Sequence, residues 1–145
     1  MINKKLEEFV ADKAESRTIT REDVQALVRT VLPDGIACRD EADLLIALDR
    51  VAASADPAWG EYLVAALVDY AVWGARPTGY VDPDTARWLA GSLGAGAGPT
   101  QTALRVATSI VREAQEADES LMAFAMSRPA SGRPGLRLGA LAVAA

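Results

Sequence analysis

Apolar residues along the chain recur at intervals of three and four, with polar residues between them, the pattern of amphipathic helices. A first helix is predicted from about Asn3 to Ala14, with Leu6, Phe9 and Val10 on one face. Thr20, with Asp23 three residues on, opens a second in the manner of a capping box. Its stripe is Val24, Leu27, Val28 and Val31, and Pro33-Asp34-Gly35 ends it and turns the chain. A third helix starts near Cys38 or Arg39 and carries Ala42, Leu45, Ile46, Leu48 and Val51. Asp56-Pro57 and Asp82-Pro83 each place a capping residue before a proline at the first helical position. They start a fourth helix that reaches Trp73 and a fifth that ends near Gly94. Trp59, Leu63, Leu67 and Tyr70 keep helical spacing along the fourth, and Val64, Ala65, Ala66 and Val68 leave it almost no polar face, so it is expected to be the most buried helix. A glycine-rich loop, Gly94 to Pro99, leads to a sixth helix capped by Thr100, with Leu104, Val106, Ala107, Ile110 and Val111. A short seventh follows Asp118 through Leu121, Phe124 and Ala125. No segment alternates with period two, so no strand is expected. The predicted fold class is all-α, a bundle of six to seven helices.

The chain also matches itself. Shifted by 62 residues, Ile19–Tyr62 aligns with Val81–Phe124 without a gap. Helix-start residues coincide (Thr20 on Asp82, Cys38 on Thr100), as do the core positions Leu27 on Leu89, Val31 on Leu93, Leu44 on Val106 and Leu48 on Ile110. Arg50, Ala52, Ala55 and Asp56 fall on identical residues, and Tyr62 on Phe124. Two related helical units, 19–62 and 81–124, are therefore expected inside one domain, residues 1–127, packed face to face.

Composition narrows the chemistry. There is no histidine, which removes the commonest general base and transition-metal ligand. Cys38 stands alone, so neither an intramolecular disulfide nor a Cys/His zinc site can form. With no leader-like N-terminus and no apolar stretch long enough to span a bilayer, a cytoplasmic, reducing location is expected. The net charge of −5 argues against duplex DNA or an anionic membrane as the main partner, since both need a basic footprint.

One turn invites chemistry. In Pro33-Asp34-Gly35-Ile36-Ala37-Cys38-Arg39-Asp40-Glu41 the Asp-Gly pair closes a turn, and Cys38 occupies the place of a helix-capping serine. Asp40 and Glu41 stand in the first helical turn, where the helix dipole favours carboxylates. Asp34 and Glu41 are thus candidate ligands for a hard divalent cation such as calcium or magnesium, weakly held because two carboxylates supply few of the oxygens calcium needs. The alternative is a plain helix start with solvated carboxylates and no cofactor.

The same residues, Asp34, Gly35, Ala37, Cys38 and Glu41, resemble the tellurite-resistance TerB-like family over about residues 17–73. The resemblance implies an all-helical fold, a metal-binding role for the acidic residues, and stress-linked or scaffolding work rather than catalysis. In the second unit Asp34 and Glu41 fall on Gly96 and Ala103, so such a site would exist once.

Trp59, Trp73 and Trp88 read as core residues. Gly94–Gly98 lacks the lysine and preceding strand of a phosphate loop. Ser92, Thr108 and Ser109 have no histidine to activate them, and the only lysines are Lys4, Lys5 and Lys13. Cys38 reads as a small buried residue. From Arg128 the chain changes: residues 128–137 hold three arginines, two prolines and no acid, and Leu138–Ala145 is small and apolar. This tail reads as a flexible basic linker with an apolar end, a candidate docking peptide, or one resembling the alanine-rich ends that bacterial Clp-type proteases engage. The functional expectation is a non-catalytic, TerB-like interaction or stress-associated protein with a protein partner or self-association. The alternatives are a cation-binding regulator and a carboxylate-only enzyme.

Overall fold

The computed structural model describes residues 3–74 and 77–129. Seven helices form where caps and apolar spacing place them. Helix α1 is Lys4–Ser16, and its cap, Asn3, accepts the amides of Lys5 and Leu6. Helix α2, Arg21–Ala26, starts with the complete Thr20/Asp23 capping box and widens into a π-helical turn, Leu27–Val31. Helix α3 is Arg39–Val51. Helix α4, Pro57–Val68, capped by Asp56, runs on into a second π-helical turn, Asp69–Trp73. Helices α5 (Pro83–Leu93), α6 (Gln101–Glu113) and α7 (Glu119–Ala125) are capped by Asp82, Thr100 and Asp118. Among the described residues no helix is long and apolar enough to cross a membrane.

Four two-residue strands break the expectation of none. β1 (Thr18–Ile19) pairs in parallel with β2 (Ser54–Ala55), and β3 (Tyr80–Val81) with β4 (Glu116–Ala117). They are connectors drawn straight between helices and tied side by side, too short to show any period. They also carry the 62-residue register into the backbone. Ala53 and Ser54 N–H donate to the Arg17 carbonyl and Asp56 N–H to that of Ile19; 62 residues on, Gln115 and Glu116 donate to Gly79 and Asp118 to Val81. The left-handed residue before each bridge is Arg17 (φ 57°) in one case and Gly79 (φ 87°) in the other. Gly79 takes that conformation freely, whereas Arg17 bears its steric cost.

The two segments pack against each other: α4 packs on α2 and α3 of the first and on α6 of the second, α3 touches α5 and α6, and α7 packs on α5 and α6. Leu6, Leu27, Leu45, Ile46, Trp59, Leu63, Leu67, Leu89, Leu93 and Ile110 are fully buried in one continuous core. Helix α4 buries Trp59, Leu63 and Leu67 as expected, but Tyr70 is only partly covered. Three apolar expectations fail. Val28 is 51% exposed, Val51 40% and Trp73 44%. Val28 and Trp73 lie in π-helical turns, whose extra residue rotates the side chains that follow out of a 3.6-residue stripe. The tail beyond Pro129 lies outside the described residues.

Candidate functional site

Asp34 and Glu41 do not meet. Asp34 is exposed on the turn, whereas Glu41 is 3% exposed and wholly engaged. Ala37 N–H donates to its Oε1 (2.8 Å) and Asn3 N–H to its Oε2 (3.1 Å). Glu41 stands at the third position of α3, where a capping-box glutamate reaches back toward the chain entering the helix. Here it reaches one residue further and also captures the start of α1. Asn3 completes the clasp, because its Nδ2 donates to the carbonyl of Val31 at the end of the first π-helical turn (2.8 Å). Cys38 itself makes no side-chain capping bond and is only partly buried.

Asp34 instead shares a recess of about 210 Å³ with Asp69, Tyr70, Ile36 and the backbone of Gly35 and Ala37. Asp69 opens the second π-helical turn, which brings it to the rim. In the sequence it was visible only as the charge interrupting an apolar run. Among the described residues no three or more His, Cys, Asp or Glu side chains gather around one point.

Two carboxylates that the helical pattern did not single out sit between helices. Asp43 Oδ1 accepts Trp88 Nε1–H (2.9 Å) and the Ser92 hydroxyl (2.7 Å), fastening α5 to α3. Asp49 accepts Trp59 Nε1–H (3.1 Å) and the Thr100 hydroxyl (2.6 Å), fastening the starts of α4 and α6 to the end of α3. A covered indole N–H needs an acceptor, so each tryptophan was the available signal that a carboxylate lay opposite. The Arg39 guanidinium stacks over the Trp88 ring (4.9 Å to its centroid) and donates to Asp84 (2.9 Å), and Tyr70 meets Trp88 edge-on.

Among the described residues Tyr62 alone has a buried polar side-chain atom, its Oη, with no hydrogen-bond partner. Burial, with the negative charge of Glu41 adding to it, pushes its phenol up to about 12. At the exposed caps the shift runs the other way. Hydrogen bonds from Thr85 hold Asp82 below the ordinary carboxylate value, and those from Ser120 do the same for Asp118.

Larger concavities lie elsewhere, among them a groove of about 570 Å³ along α6 over Leu104 and Thr108. A cleft of about 390 Å³ lies between the end of α3, β2 and the starts of α4 and α6; Asp49, Asp56, Trp59, Gly60, Arg105 and Pro129 are among its lining residues. A shallower, mainly apolar groove of about 600 Å³ runs between α3 and α5 over Leu44, Ala47, Gly91 and Ala95. Comparison with family models, curated proteins and solved structures finds no match to the chain.

Proposed function

We propose that the chain is a non-catalytic, TerB-like interaction protein working in the cytoplasm, which acts through its surface rather than by chemistry at a reactive centre. The observation that supports this reading is the use made of its covered carboxylates. Glu41, Asp43 and Asp49 all receive structural donors, from backbone amides, indoles and hydroxyls. A catalytic acid or base needs to face a substrate instead. Meanwhile Trp73, Tyr80, Met122 and Met126 stay exposed, the last at 86%. Photo-crosslinking from Met126 and from Trp73, with Glu8 as a control position, tests this in cells. A discrete adduct from either apolar position and none from Glu8 is the expected result. Equal, diffuse labelling from all three would remove the proposal.

A second reading rests on the recess holding Asp34 and Asp69. Two carboxylates lining one recess suit a hard cation, weakly bound and keeping several waters. Its partner for Asp34 is Asp69, not Glu41. Calorimetric titration of calcium, magnesium and manganese should give heat that both Asp34→Asn and Asp69→Asn abolish. No heat at millimolar cation would leave the recess a surface feature.

A further inference from the structure

The chain leaves α7 at Ala125 and within four residues brings Pro129 against the cleft between the starts of α4 and α6. The last described residue therefore lines a concavity. Its lining is mixed: Ala52, Ala55 and Pro57 beside Thr100, Gln101 and Thr102, with Trp59 almost wholly covered and Gly60 where a Cβ would come within 2.9 Å of the Arg105 guanidinium. Its rim carries the carboxylates of Asp49 and Asp56, with Arg105 the one opposing cation.

The segment that follows matches these surroundings. Residues 128–145 contain Arg128, Arg133 and Arg137 and no acid, so residues 1–127 keep 12 basic against 20 acidic side chains, a net −8. At about 3.3 Å per extended residue, Arg133 falls within roughly 13 Å of Pro129, and Leu136 and Leu138 follow shortly after. We infer that the tail docks in cis. Residues 130–138 lie in the α4/α6 cleft, with Arg133 and Arg137 beside Asp49 and Asp56 and Leu136 or Leu138 on the exposed Ala55 and Pro57. This goes beyond the interaction reading: the tail would occupy the cleft until a partner displaced it.

A nitroxide on Ala140→Cys in a Cys38→Ala chain tests the placement by paramagnetic relaxation. The Trp59 indole N–H and the Gly60, Gln101 and Thr102 amides should broaden selectively, and Arg133→Glu with Arg137→Glu should weaken that broadening several-fold. Hydrogen exchange at Gln101–Arg105 in the unlabelled chain, with and without the two charge reversals, checks the result without a label, and faster exchange in the reversed chain is expected. Uniform broadening, no broadening, broadening centred on Met122 and Met126, or broadening only between labelled and unlabelled copies would each overturn the proposal.

Discussion

At the start of α6 the Thr100 hydroxyl accepts the amide of Ala103 (2.9 Å) and donates to Asp49 (2.6 Å). At the start of α3, 62 residues earlier, Cys38 holds the same place and makes no such bond. The work has moved three residues along, to Glu41, whose counterpart is Ala103, and from a hydroxyl to a carboxylate that gathers Ala37 and Asn3. Each helix start is tied both locally and to a distant element: a hydroxyl holds Ala103 and Asp49, 51 residues away, in one, and a carboxylate holds Ala37 and Asn3, 38 residues away, in the other. Equivalent backbone positions can thus be held by side chains with nothing in common, and an acidic residue in a suggestive motif can be wholly occupied by folding.

The largest effect should come from removing the carboxylate. Glu41→Ala leaves the amides of Asn3 and Ala37 without the charged acceptor that each has in the native protein. It should lower unfolding stability by about 3 kcal/mol in a denaturant titration. Thr100→Val removes the local cap and the hydroxyl bound to Asp49, and about 1–2 kcal/mol is expected. A loss at Thr100 exceeding that at Glu41 would reverse the comparison.

Tyr62→Phe sharpens it from the other side, because the second segment already carries Phe124 at this position. Deleting an unsatisfied buried hydroxyl should raise stability by up to about 1 kcal/mol. The phenol's folded value lies above its unfolded value of 10.0, so the protonated form is the one the fold favours. That contribution is complete below pH 10 and is lost as the pH climbs from 10 towards 12. The wild type should therefore lose more stability than Tyr62→Phe over this interval, and parallel alkaline profiles would contradict the burial of Oη. The smallest effect is Cys38→Ser, which supplies the missing local cap and should add about 0.5 kcal/mol in the same titration.

Local signals carried most of the fold. Thr20, Asp56, Asp82, Thr100 and Asp118 announce five helix starts, and all five cap where the sequence places them. The two bridges lie 62 residues apart, but nothing in the sequence announces them. What escaped was non-local. The π-helical turns depend on one extra residue per turn, which no stripe records, so Val28 and Trp73 were assigned inward. The candidate site was legible only at Asp34. Its neighbour Asp69 comes from a different helix, and the roles of Glu41, Asp43 and Asp49 are fixed by donors on other elements, Asp49 through Trp59 and Thr100.

The structural role of Glu41 is most directly read from unfolding of wild type and Glu41→Gln, each with and without millimolar calcium. If Glu41 is a clasp, the amide variant loses stability by the same amount in both conditions, since the carboxylate is taken up by Asn3 and Ala37 N–H. If calcium stabilises the wild type and that gain disappears in Glu41→Gln, Glu41 is a cation ligand after all.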